Sequence, residues 1–499
     1  MDALTTYSTI TPLLAVLVSL AAVPFILLSS RHRNLREFWT IAAGFAKFSF
    51  ILSLLPGALL NRAAETVLFE ISPGITLTLR ADPFGVFFAL VASGLWILTS
   101  FYSIGYVRGL AEHKQTRYFA CFAVCLSATI GIAFAANLLT FIVFYETLTI
   151  ATYPLIIHKE TKEAIHAGRK YLAYTLTAGV LLIAATAVTY KLAGTLDFRP
   201  GGLFGDTLLS PKTAVLLFLL FLGGVGVKAS IMPLHSWLPT AMAAPTPVSA
   251  LLHAVAVVKS GVFGVIRIVG FVFGPSLMLR FGLNRILMAF AGTTIILASL
   301  MAFKQDNLKR RLAYSTVGHL SYIVLGAGLL SSSAVVGGLM HLAFHATMKI
   351  TLFFCAGAIY VNLHKENISE MDGIGKAMPW TMAAFTAGAI GLAGVPPLNG
   401  FVSKWYLGLG SLQAGRTAAL IILIVSGLLN IGYFFPIIYQ AFFKSSKSFP
   451  KKKEASPAMV LPLMVTALIS IWLGIFPDSF VHFFSLAVKV SENILGGMP

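Results

Sequence analysis

The sequence predicts an all-α polytopic membrane protein with about fourteen transmembrane helices, two inverted five-helix repeats and broken helices 7 and 12. Three observations predict it. Of 499 residues, 57% are hydrophobic and 11% charged, whereas a soluble domain carries about 25% charged residues. Apolar runs of about 20 residues, the length that crosses a hydrocarbon core about 30 Å thick, recur along the whole chain. The seventh and twelfth runs are interrupted by proline and glycine, and each carries a lysine, Lys228 or Lys404. Paired broken helices in two halves point to an inverted repeat with an ion site between them.

The same composition excludes other classes. A formal net charge of +18 would suit nucleic acid, but the basic residues sit in short loops between apolar runs, where they orient the chain in the bilayer. No nucleic-acid partner is expected. Cys121, Cys125 and Cys355 all lie inside apolar runs, so neither a disulfide framework nor a zinc motif is indicated. The chain has no cysteine-rich cluster motif, nucleotide-binding loop or flavin site. No cofactor, metal or redox centre of its own is therefore expected.

The first run, about residues 8 to 29, follows Asp2 without a lysine or arginine and leads into SSRHRNLRE. It reads as a retained helix with its N-terminus outside, not as a cleaved signal peptide. Further runs span about 38 to 60, 83 to 106, 117 to 136, 138 to 157, 169 to 192, 213 to 232 and 247 to 271. The rest span about 281 to 303, 312 to 330, 335 to 361, 378 to 413, 417 to 442 and 457 to 477. Between the second and third, TVLFEISPGITLTLRAD alternates around Pro73 and Gly74, the signature of an extramembranous hairpin.

Loops after odd-numbered runs hold Arg31, Arg33 and Arg36, then Arg108, Lys114 and Arg117, the segment HKETKEAIHAGRK, Lys304 with Lys309 to Arg311, and Lys444 to Lys453. That bias places those loops in the cytoplasm and both termini outside, in a prokaryotic cytoplasmic (inner) membrane. Lys447 to Lys453 reads as a solvated loop, with a lipid-headgroup or partner patch as the alternative. The expected division is 1–116 for helices 1 to 3, 117–271 for the first repeat, 281–442 for the second, and 443–499 for the basic loop and helix 14.

Ionisable groups inside these runs are the candidate site. Placing one in hydrocarbon costs about 2.5–3.5 kcal/mol on insertion scales, so each is by default a functional hypothesis. Glu146 sits mid-way along the fifth run; its bland reading is a protonated carboxyl bonded to a hydroxyl. Lys228 is the candidate partner, because a nearby carboxylate favours the ammonium form that burial opposes. Changing their separation would make a proton switch by Coulomb's law alone. Lys259 and His253 share the eighth run, six residues apart and on different faces, so waters would have to link them.

In the eleventh run His341, His345 and Lys349 recur every four residues, which stacks them on one helix face. Such a row suits a proton relay. A metal or haem site is the alternative, disfavoured because the lysine one turn on opposes a cation. Lys404 follows VPP and NG in the twelfth run, in a setting comparable to that of Lys228. Lys47 and Arg267 read as snorkelling or packing residues. Asp306, beside Lys309, Arg310 and Arg311, reads as part of a helix-end ion network.

Five segments, NLLTFIVFYE, VKASIMPLHSWLPTAMAAPTPVSALLHAVAVVKSGVF, QDNLKRRLAYSTVGHLSY, HLAFHATMKITLFF and GVPPLNGFVSKW, resemble the antiporter-like subunits shared by respiratory complex I, membrane-bound hydrogenases and Mrp-type multisubunit cation/proton antiporters. The resemblance is clearest over about residues 80 to 440. It implies two half-channels, one per repeat, and as partners other membrane subunits of a hetero-oligomeric complex, membrane lipid, protons, and Na+ or K+ as the exchanged cation. It also implies roles: Glu146 and Lys228 match the coupling pair, Lys259 the central lysine, His341, His345 and Lys349 the connecting segment, and Lys404 the basic residue of the second broken helix.

Two positions depart from the family's usual residues: Tyr145 stands where tryptophan is common and Ser321 where glycine often sits. Lysine at 404, and a chain that stops soon after helix 14 without a long lateral helix, make the sequence most similar to the D-type subunits of the Mrp antiporters. The function implied is proton translocation within a cation/proton antiporter. The alternatives are the same role in a complex I-like NADH:quinone oxidoreductase or hydrogenase, or a proton-flux partner of an inorganic-carbon uptake protein.

Overall fold

The computed structural model describes residues 4–72, 74–205, 209–445 and 452–496. Pro73 of the expected hairpin and most of the basic stretch from Lys447 lie outside the described residues. Among those described, thirteen helices are long and apolar enough to cross a membrane. They are α1 (Thr11–Leu28), α2 (Arg33–Leu59), α3 (Pro83–Gly109), α4 (Gln115–Ala133), α5 (Leu138–Ile156), α6 (Lys162–Ala193), α7 (Pro211–Lys228) and α8 (Thr246–Phe273). After these come α9 (Leu283–Phe303), α10 (Leu308–Leu329), α11 (Ser332–Leu363), α13 (Thr417–Phe443) and α14 (Pro457–Ile475). The twelfth run is two shorter pieces, α12a (Pro379–Ala393) and α12b (Asn399–Gln413). A last helix, α15 (Phe483–Leu495), was not anticipated from the sequence.

Short polar residues set where these helices begin, because each side chain takes one of the orphan amides of the first turn. Asp82 accepts from the Gly85 amide, Asn137 from Thr140, Thr161 from Ala164, Ser210 from Thr213 and Asn307 from Arg310. Inside the helices many buried hydroxyls donate to the carbonyl four residues back, as Thr129, Thr152, Thr175 and Thr189 do. That local bond satisfies a polar atom in hydrocarbon without any further partner.

Burial ranks the helices. α8 and α11 are buried along their whole apolar length and α10 nearly so, while α1 and α13 bury a third of theirs. The axis of the bundle is therefore α8, α10 and α11, and the outer helices offer leucine, isoleucine and phenylalanine to lipid. Close crossings on the axis use glycine: a Cβ at Gly261 of α8 would lie 2.1 Å from the Ala229 amide nitrogen and 2.4 Å from the Lys228 carbonyl carbon. Only a residue without a side chain lets α8 meet the end of α7 there.

Loops after odd-numbered helices share one face of the bundle. Lys114 after α3 donates to Glu160 after α5 at 2.6 Å, Arg310 at the start of α10 reaches Glu163 at 3.5 Å, and Lys444 after α13 lies 3.4 Å from Asp372 after α11. Lys114 and Arg117 together hold the exposed Glu160 carboxyl down at about 2. The opposite face carries a small sheet. β1 (Thr5–Ser8) pairs in parallel with β2 (Arg62–Ser72), which pairs antiparallel with β3 (Ile75–Ala81). The expected hairpin thus gains a third strand. Asn61 and Asn493 join that face to α15.

Two expectations about minor residues change, and a third is narrowed. Arg267 does not snorkel: it makes a two-pronged ion pair with Asp82 at 2.6 and 2.7 Å, buried among Phe84, Phe198, Phe263 and Phe271. Asp306 is not tied to its neighbouring cations by side-chain bonds. It accepts from the Ser369 amide and hydroxyl at 3.0 and 2.7 Å, capping the turn after α11, while Arg311 turns to the Gln305 and Tyr433 carbonyls and Lys309 to that of Ala244. Lys47 is a packing residue, wholly buried and 3.3 Å from the Val16 carbonyl.

Candidate functional site

The first part of the site lies where α5 meets the end of α7. Lys228 is the last residue of α7, and its Nζ donates to the Tyr145 carbonyl at 2.5 Å while lying 3.3 Å from the Tyr145 ring centroid. Glu146 is the next residue on α5. Its two carboxylate oxygens are buried with no protein donor in hydrogen-bonding geometry, and they rest against the backbone at Gly179 of α6, where a Cβ would come within 2.7 Å of Oε1. Lys228 and Glu146 are thus neighbours through Tyr145, with no direct hydrogen bond between them. Tyr145, the departure from the family's usual tryptophan, is itself the seat of the ammonium.

The second part is a line of side chains along the bundle axis. Lys259 of α8 lies 3.0 Å from His345 Nδ1 on α11. The His345 ring stacks with His319 of α10 at 5.3 Å between centroids, and His319 Nδ1 is 3.0 Å from His341 Nε2. His341 Nδ1 continues to the Ser403 hydroxyl of α12b at 2.9 Å. From His319 Nε2 a branch runs to Asn430 of α13 at 3.2 Å, whose amide also donates to the Leu392 carbonyl at 3.3 Å. Lys404 donates to that same carbonyl at 2.7 Å and to Ala393 at 2.9 Å, holding the open C-terminal end of α12a. Its side chain lines a cavity of about 400 Å³ between α12b and α13.

The structure therefore joins Lys259, His345, His341 and Lys404, and it sorts the other candidates differently. Lys349 shares the face of the histidines, but its ammonium turns to α10, to the Ser315 hydroxyl at 2.9 Å and the Leu312 carbonyl at 3.2 Å. It rejoins the line through Tyr433, whose hydroxyl lies 2.9 Å from that of Ser315 and donates to Asn430 Oδ1 at 2.5 Å. His253 stands in a π-helical turn of α8 against Phe353, 4.8 Å between centroids, and neither ring nitrogen has a protein partner. Among the described residues no hydrogen bond links Lys228 to Lys259. Lys228 and Lys404 are also not equivalent: one precedes the break in its helix and the other follows it.

Sequence reasoning missed His319, Tyr322, Ser315, Asn430 and Tyr433. The signal was present as polar residues at helical spacing in apolar helices, Ser315, His319 and Tyr322 on α10 and Ser426, Asn430 and Tyr433 on α13. Tyr322 donates to Ser426 at 2.7 Å across that seam. These hydroxyls and amides bond between helices, unlike the threonines that return to their own carbonyls.

A bundle with thirteen membrane-length helices among the described residues, and with lysines and histidines buried along its axis, defines the antiporter-like class of membrane proteins. The chain belongs to the NADH:quinone oxidoreductase/Mrp antiporter transmembrane family, whose pattern matches residues 135–430. It is 31% identical over 418 residues to NADH-quinone oxidoreductase subunit N of Desulforudis audaxviator, covering 78% of this chain and 82% of that one. It is 26% identical over 490 residues to the D-type Na(+)/H(+) antiporter subunit of Alkalihalophilus pseudofirmus, covering 97% of each. Among solved structures it superimposes on a chain of the Mrp complex from Dietzia sp. DQ12-45-1b with a TM-score of 0.87, at 20% identity and 98% coverage of both, a likeness that carries the fold alone.

Proposed function

We propose that this chain translocates protons within a multisubunit cation/proton antiporter, moving them between the Glu146–Lys228 pair and Lys404 by way of Lys259, His345, His319 and His341. The observation that carries the reading is the buried line from Lys259 towards Lys404, in which polar side chains stand at hydrogen-bond or ring-contact distance as far as Asn430, whose amide shares the Leu392 carbonyl with Lys404. Imidazole suits this role because its two nitrogens can take a proton on one side and release it on the other. Glu146 acts on Lys228 through space, since Tyr145 holds the ammonium and the carboxylate supplies the field. Driving one charge against 100 mV takes about 2.3 kcal/mol, within what a charge pair rearranging in a poorly solvated interior can supply.

Two inverted repeats, α4–α8 and α9–α13, are part of the proposal. They are supported by matched details: Asn137 and Asn307 each cap a helix and each bridge to a later strand-like residue, Asp197 and Asn367, with the second pair displaced by the same interval at both positions. The division into 1–116, 117–271, 281–442 and 443–499 follows those repeats. The basic loops facing a prokaryotic cytoplasm, and both ends outside, complete the topology. The partners are other membrane subunits, with Na+ or K+ as the exchanged cation, as the near full-length match to a Na(+)/H(+) antiporter subunit suggests. The match to a quinone oxidoreductase subunit favours a second reading, the same proton path within an electron-transfer complex.

The test is proton-coupled transport by the native complex in vesicles, read with a pH-sensitive dye. Lys228→Ala, Glu146→Ala and Lys259→Ala should each abolish transport while the complex still assembles. Near-normal transport in any of them overturns the route. Mass spectrometry of the subunits that co-purify separates antiporter from oxidoreductase.

A further inference from the structure

On the face carrying the basic loops, away from the buried axis, the α3–α4 loop and the end of α5 bring together Glu112, His113 and His158. One ligand atom from each lies within 4.8 Å of the others. The loop is shaped by left-handed residues at Ala111 (φ 49°) and Lys114 (φ 48°), which turn Glu112 and His113 toward α5. His158 is the unusual member. Its side chain is 1% exposed, its ring stacks on His113 at 5.1 Å and meets Tyr118 edge-on, and both its nitrogens are buried with no hydrogen-bond partner. Buried imidazoles normally have at least one such partner. Glu112 Oε2 lies 3.8 Å from Nε2.

We propose that Glu112, His113 and His158 bind a divalent transition cation of the zinc class. Two imidazoles and a carboxylate are a donor set that zinc accepts, with water free to take the fourth position. Bonds of about 2.0–2.1 Å to a tetrahedral ion place donor atoms roughly 3.3 Å apart, so the 3.8 Å pair has to close by only a fraction of an ångström. Lys114 and Arg117 stand nearby and would oppose a cation. Both are occupied by Glu160, at 2.6 and 2.8 Å, and the second oxygen of that carboxylate lies 3.7 Å from His113, adding negative charge beside the site. A bound ion would tie the α3–α4 loop to the end of α5, the helix that carries Glu146. None of the three ligands belongs to the proposed proton line.

The experiment uses the full-length chain in detergent, freed of metal by a chelator and then titrated with Co2+ alone. One Co2+ per chain, with the visible absorption of a four-coordinate ion that Zn2+ displaces, is the expected result. His158→Ala and Glu112→Gln should each weaken binding by more than about tenfold, the loss that even an outer-shell partner can carry. Glu112→Gln sits in a loop and preserves shape, so it keeps the test alive if His158→Ala does not fold. Absence of stoichiometric binding, or binding unchanged in both variants, overturns the proposal.

Discussion

His319 touches more of the proposed path than any residue singled out from the sequence. It stands 3.0 Å from His341, stacks on both His341 and His345, and takes Asn430 on its other nitrogen. Without it, Lys259 and His345 face His341 at 5.8 Å between rings, with no direct hydrogen bond. His319→Ala should therefore reduce proton transport by at least about a hundredfold, the lower end of what a positioned acid–base group contributes, with assembly intact because alanine suits a helix interior. The measurement is dye-reported transport in vesicles holding matched amounts of complex, and a rate within about threefold of wild type, well short of that contribution, would remove His319 from the path. The residue escaped the sequence reading for a physical reason. Ser315 and Tyr322 at helical spacing mark its face as polar without saying what that face meets, and the hydrogen-bond partners of His319 lie 22 and 111 residues away. His341 and His345 were legible because helical geometry pairs them locally.

At the scale of elements, one buried ion pair ties α8 to α3. Arg267 near the end of α8 binds the carboxylate that caps α3, so one side chain fixes two helices. Removing one partner of a buried pair strands the other charge and costs about 3–5 kcal/mol, whereas neutralising both is far milder. Arg267→Met should thus lower the thermal unfolding midpoint in detergent sharply, and adding Asp82→Asn should restore much of it, since asparagine still caps the Gly85 amide. Equal midpoints for the single and double variants would mean that the pair carries no such weight. The sequence offered the break in the twelfth helix plainly, because VPP and NG leave little choice. It did not offer this pair, whose members are 185 residues apart, nor α15, which is shorter than a span and follows a segment without a strong start signal.

The whole molecule is polarised across the membrane, and its sidedness can be tested without any assay of function. Cations after α3, α5, α9 and α13 converge on one face, while β1, the β2–β3 hairpin and α15 share the other. This arrangement was legible because charge asymmetry between alternate loops follows from insertion energetics and not from tertiary contacts. On the proposed topology the cation-rich face is cytoplasmic, so Thr6, exposed on β1, is expected outside and Lys162, exposed in the first turn of α6, inside. Cys125 and Cys355 are buried and Cys121 half-buried within its span, so a Cys121→Ser background gives little labelling of its own. In that background a membrane-impermeant maleimide should label Thr6→Cys in intact cells and Lys162→Cys only after permeabilisation. The reverse pattern would invert the chain in the bilayer, and with it the side from which Glu146 and Lys404 take up and release protons.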